Sequence, residues 1–323
     1  MGAGMGAGGA KKAGTPARRR PTIRRSRGDM IFDAANYALM GLFLLIMLYP
    51  LYYTIIASVS DINEVSLGHV LFLPKGFTLD AYRQIVGNSL IWSGYFNSAL
   101  YTVLGTAYGL IVMVPLAYAL SKKFLIAKGF ITWFFIFTMY FSGGMIPAYI
   151  LRVQTLGMSN SMWVMVLGSV SVYNMIVTRT FFKAAVPEEL FESAEIDGAS
   201  QFRCFFSIAL PLAVPIIAVM ALFFGVSQWN SYFNALLYIS DKAKYPLQLV
   251  LRNILILNEP MAIDKDMLTS MSAAQAQDQI FRQRLAESMK YSVIFIASAP
   301  LLIAYPFVQK HFVKGMLIGS VKG

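Results

Sequence analysis

Six stretches of this chain run for 19 residues or more without a single Asp, Glu, Lys or Arg: residues 34–60, 84–121, 129–151, 153–178, 204–240 and 291–309. An α-helix needs about 20 mostly apolar residues to cross about 30 Å of hydrocarbon. Backbone amides inside a bilayer must be satisfied within the segment, so such stretches fold as helices. Composition agrees: 57% of residues are hydrophobic and 13% charged, against about 25% charged in a soluble domain. Disorder, a disulfide scaffold and an ordinary water-soluble enzyme are excluded. The two longest windows hold more than a span: residues 84–97 are polar and aromatic, and 204–210 belong with the preceding element. The first apolar run is too long for a cleaved signal core, so it reads as a retained anchor.

Charge sets the orientation. Eight of the 27 basic residues precede Met30, and with Asp29 they give the N-terminal tail +7 of the net +11. Such a tail beside a span fixes the cytoplasmic side. The expected fold is therefore an all-α integral membrane protein with six transmembrane helices and both termini cytoplasmic. The expected spans are about 34–57, 97–120, 130–151, 160–181, 211–239 and 290–309. They lie between a basic disordered tail (1–30) and a cytoplasmic C-terminal tail (311–323). An outer loop covers 240–289. No folded basic domain is present, so nucleic acid is not an expected partner.

The absent chemistry narrows function. The Gly-rich residues 2–9 neither follow a strand nor open a helix, and no GK[ST] occurs, so no Walker-type ATP site is expected. The only histidines, His69 and His311, fall on opposite sides of the expected topology, and no HExxH, CxxC or nucleophile elbow exists. No metal site and no catalytic residue is expected, nor any cofactor on this chain. The single cysteine, Cys204, permits no internal disulfide. No span carries a charge near its middle, which disfavours a proton-coupled carrier. Energy for uphill transport would enter from another chain.

The segment 184–210 carries the sharpest pattern. Pro187 suits the first position of a helix and Glu188 and Glu189 its first turn. Gly198 suits its C-terminal cap, and Ser200 can cap a second helix running to Pro211. Leu190, Phe191 and Ala194 can share one face, with Glu188, Glu192 and Glu195 near another. On periodicity alone this could be a solvated connector. Its spacing, however, is Glu192-x-Ala194, then Gly198, then Ile208-x-Leu210-Pro211. This resembles the EAA-x3-G-x9-I-x-L-P signature of the membrane subunits of ATP-binding-cassette importers, departing at Ser193, where the signature has a second alanine. Asn97-Ser98, Ala117 to Ser121, Met145-Ile146-Pro147, Gln228-Trp229-Asn230 and the ending from Lys314-Gly315 to Gly323 extend the likeness. Together they resemble the second, maltose-type permease of carbohydrate importers, in particular the complex-oligosaccharide or aldouronate branch of Gram-positive bacteria.

The resemblance implies a coupling helix between spans four and five that docks in a separate ATPase, with Glu192, Ser193, Ala194, Asp197 and Gly198 as the coupling residues. It implies as partners a homologous second permease, two ATPase subunits carrying ATP and Mg, an extracellular solute-binding (lipo)protein and an oligosaccharide. It also implies that the tail bearing Lys314, Gly315 and Lys322 reaches the ATPase. A sugar path needs aromatic faces and amides. Asn97, Tyr173, Asn174, Gln228, Trp229, Asn230 and Tyr232 supply them within or beside spans. The same groups also serve helix–helix hydrogen bonds and interfacial anchoring. Three alternatives stay open: an importer permease for another solute, a self-sufficient secondary carrier or channel, and a membrane-embedded enzyme. The lack of a buried cation or acid in the spans favours a neutral solute.

Overall fold

The computed structural model describes residues 26–123, 125–168, 170–257, 277, 289–303 and 305–306. The basic tail up to Arg25, most of the 240–289 loop, and Lys314, Gly315 and Lys322 lie outside the described residues. Among the described residues every regular element is a helix. Two compact units are distinguished, residues 1–51 and 52–323. The first carries most of helix α1 (Arg27–Ser58), whose best window has a mean hydropathy of 2.0 and is almost wholly exposed on this chain. An apolar helix surface with no protein over it suits lipid.

In the second unit, two short helices, α2 (Ile62–Ser66) and α3 (Asp80–Gly87), precede the central element, α4 (Ser89–Ser121). The Asn88 side chain caps α4 by accepting from the Leu90 amide at 3.0 Å, so the helix starts eight residues before the expected span. At 1.5 Å per residue its 33 residues extend about 50 Å, well beyond the hydrocarbon thickness.

Three stretches expected as unbroken helices are interrupted. Between α5 (Lys128–Tyr140) and α6 (Met145–Ile150, continued by a π-turn at Leu151–Thr155) the chain turns by 110°. The turn holds Gly143 and Gly144, and Gly144 has φ +86°, a conformation that side chains with a Cβ rarely adopt. Between α7 (Trp163–Val166) and α8 (Val172–Ala185), Gly168 packs 3.2 Å (ideal Cβ) from Arg152 Nη2, and Ser171 caps α8 by accepting from the Asn174 amide. After α9 (Glu189–Ile196), the stretch of α10 (Gln201–Cys204), a π-turn (Phe205–Ala209) and α11 (Leu210–Leu212) bends by 77° into α12 (Val214–Trp229), inside the expected span 211–239. Pro215 near the start of α12 has no amide hydrogen to bond back to Pro211, so the helix cannot continue straight. The helices α13 (Phe233–Tyr238), α14 (Leu247–Leu257) and α15 (Met289–Ile303) follow.

The core is built on α4. Its glycines at 105 and 109 let α12 approach closely: an ideal Cβ on Gly109 would stand 3.3 Å from the Phe224 ring, and one on Gly105 only 1.8 Å from Gln228 Nε2. Small residues at a helix crossing are the usual route to close packing within a membrane.

Candidate functional site

The helix α9 is terminated as its sequence predicts. Gly198 adopts φ +79°, the Ala199 amide donates to the Ala194 carbonyl at 2.8 Å, and the Gly198 amide donates to that of Glu195 at 3.0 Å. These two bonds form the paired C-terminal cap that a left-handed glycine permits. The Ser200 hydroxyl then caps α10 by accepting from the Arg203 amide, and Gln201 Nε2 reaches Glu195 Oε1 at 2.6 Å. The first turn starts at Glu188 rather than Pro187, since the Phe191 and Glu192 amides both donate to the Glu188 carbonyl.

One side of α9 is seated in the main core. Phe191 is buried in a ring cluster with Tyr118 of α4 at 6.1 Å; Phe182 of α8 and Phe205 lie 5.6 Å and 5.0 Å from the same tyrosine. Ala194 packs against this cluster, half-buried, so its small side chain serves the seat and not the outer face. Leu190, expected on the same face as Phe191 and Ala194, is exposed. The outward side presents Leu190, Glu192, Ser193, Ile196, Asp197 and Gly198, with Ile196 86% exposed. Ser193 Oγ donates to the Glu189 carbonyl at 2.8 Å, folding its hydroxyl onto the helix and leaving a smooth surface.

Two lysines clamp the start of α9 to the end of α4. Lys122 Nζ stands 2.8 Å from the Phe191 ring centre, a cation–π contact. Lys123 Nζ pairs with Glu188 Oε2 at 2.6 Å. Burial lowers the Lys122 pKa, while the hydrogen bond with Lys123 holds the Glu188 carboxyl below its ordinary value. The sequence pattern did not point to this clamp, because its halves lie 65 residues apart.

The amide and aromatic candidates divide into two groups. Asn97 Nδ2 donates to the carbonyls of Ala243 and Tyr245 at 2.7 and 3.0 Å. Gln228 is buried and donates to the Met165 carbonyl at 2.8 Å; Trp229 is buried and donates to that of Ala297 at 3.1 Å. These three groups tie helices together. Asn174 is also buried. Tyr173 and Tyr232 are exposed, and exposed Asn230 donates to the Val226 carbonyl one turn back. Among the described residues no group of three His, Cys, Asp or Glu converges as a metal site.

No protein-family profile matches the chain. Individual relatives do. It is 39% identical over 296 residues to the Bacillus subtilis polygalacturonan/rhamnogalacturonan transport system permease protein YtcP, covering 91% of this chain and 99% of the relative. It is 40% identical over 303 residues to protein LplC of the same organism, covering 94% and 98%. Among solved structures, a chain of a bacterial ABC transporter involved in the import of the acidic polysaccharide alginate superposes with a TM-score of 0.77. That match has 31% identity and covers 90% of this chain and all of the other.

Proposed function

The chain belongs to the family of membrane permease subunits of ATP-binding-cassette carbohydrate importers, and from that premise we propose that it forms half of an oligosaccharide path driven through α9. It is a transport subunit and not an enzyme. In this reading the chain crosses the membrane six times with both termini cytoplasmic, the bent pairs α5–α6 and α11–α12 each serving one crossing. Its partners are a homologous second permease, two ATPases that bind ATP and Mg, and an extracellular binding protein. The solute is an oligosaccharide; the relatives named for polygalacturonan, rhamnogalacturonan and alginate transport favour one bearing carboxylates. That departs from the neutral solute the span composition suggested.

The observation that carries the proposal is the two-sidedness of α9. It is an eight-residue helix, closed by a tight glycine cap and anchored by Phe191, with an outer face that sets Glu192, Ser193, Asp197 and Gly198 beside the exposed apolar side chains of Leu190 and Ile196. A short rigid body with a packed inner side transmits displacement instead of absorbing it. ATP-driven closure of the ATPases would move α9, and through its seat α4, α8 and α12.

The test is gentle purification of the tagged chain from its native membrane, followed by mass spectrometry. A second permease and a Walker-motif ATPase are expected to co-purify. Recovery of the chain alone or as a homo-oligomer, with no ATPase after crosslinking, would overturn the reading in favour of an autonomous carrier.

A further inference from the structure

Beside the clamp, where α4 ends, α5 begins and α8 ends, an open recess of about 470 Å³ is lined by Lys122, Lys123, Lys128 and Lys183, with Glu188 and Glu189 on its α9 side. It has room for on the order of fifteen water molecules, enough for a phosphoglycerol group. Four cations face two carboxylates. Lys123 is neutralised by Glu188, and Lys122 lies on the Phe191 ring. Lys128 Nζ donates to the Lys122 carbonyl at 3.1 Å, and no carboxylate among the described residues pairs with Lys183. Repulsion from Arg179 lowers the Lys183 pKa, with burial and Lys128 adding to it, so the cations outnumber the carboxylates around the recess.

We propose that this recess binds the phosphate headgroup of an anionic membrane lipid. In the six-crossing reading above, on which this placement rests, the ends of α4, α5 and α8 lie at the headgroup level of a bilayer, where basic pockets between spans take acidic lipids. The element that supplies Lys128 also supplies a surface for the acyl chains: α5 exposes Phe130, Trp133 and Phe134. A cationic recess joined to an exposed apolar helix matches an amphiphile better than a free phosphate ion. Pro187 and Glu188, just before α9, line the same recess, so an occupant would brace the root of that helix.

The probe is phosphatidylglycerol retained by the purified, complete importer, read by native mass spectrometry after mild delipidation. This readout is independent of solute identity and of which membrane face the recess occupies. The wild-type complex is expected to keep phosphatidylglycerol in preference to phosphatidylcholine, and excess inorganic phosphate is expected not to displace it. K128Q/K183Q should weaken retention by roughly tenfold or more, while K128R/K183R keeps it. If the double variant does not assemble, K128Q and K183Q alone should each weaken retention by roughly fivefold. Equal retention by wild-type and glutamine complexes, or no preference in the wild type, overturns the site. Displacement by inorganic phosphate overturns the lipid in favour of a soluble anion.

Discussion

At Gly198 two demands meet. Its backbone is left-handed, and an ideal Cβ there touches nothing within 4 Å. A substitution therefore costs the fold only the conformational penalty, about 1–2 kcal/mol. It would, however, project a side chain from the outer face next to Asp197. Gly198→Asp is expected to abolish uptake in the assembled importer while moving thermal unfolding of the chain by only a few degrees. Uptake at the wild-type rate would remove α9 from the drive. The cap was legible in the sequence because it is local: a glycine, a serine and an acidic first turn within fourteen residues. The inward turn of Ala194 was less so, since a small residue suits either a docking face or a packed one. That the amides of Asn97 and Gln228 could tie helices together was among the readings the sequence offered, but their partners were not legible. Their acceptors lie 146 and 63 residues away, and only tertiary packing brings them there.

Between helices, two contacts bear on how the elements are held together. The first is the α4–α12 crossing. Gly105→Ala would place a methyl where Gln228 Nε2 now sits, pushing the amide off the Met165 carbonyl. Overpacking and a lost buried hydrogen bond together are expected to destabilise the chain by about 2–4 kcal/mol, seen as a lower melting temperature in detergent. The second is the Lys123–Glu188 pair. Glu188 is depressed, so the attraction is present above its unfolded value near 4.5 and is lost as pH falls through the lower folded value. Lys123 is raised, so the attraction is also lost as pH climbs past its folded value, above 10.5. Between those limits the pair holds. Reversing either charge alone is expected to lower the solute moved per ATP hydrolysed, and the double reversal K123E/E188K to restore it. Failure of the double reversal to recover would show that the pair does not link α4 to α9. The breaks at Gly143–Gly144 and Ala213 belong to this scale too. Continuous apolar windows announce the length of a membrane segment, whereas its continuity depends on glycines and prolines that tertiary packing exploits.

For the whole molecule, charge outside the spans decides orientation. Without the N-terminal tail the two sides carry nearly equal basic charge in the expected topology, eight against nine. Replacing Arg18, Arg19, Arg20, Arg24, Arg25 and Arg27 with glutamine is expected to give a mixture of orientations, scored by reporter fusions at both ends. A uniformly oriented product would assign the control to another segment. Membrane character and the all-helical class were readable from the charge-free windows alone, because the bilayer admits few other solutions for such stretches. The sugar path was not, since amides and aromatic rings beside spans serve helix packing as readily as a solute.

The only sulfhydryl of the chain, Cys204, has no exposed surface, sealed under the aromatic cluster that seats α9. Water-borne maleimides and spin labels would therefore find no native target among this subunit's residues. A cysteine introduced at Ile196 or Ser193 would be the sole labelled position, and a dye there would report the approach and departure of an ATPase in an otherwise unaltered protein.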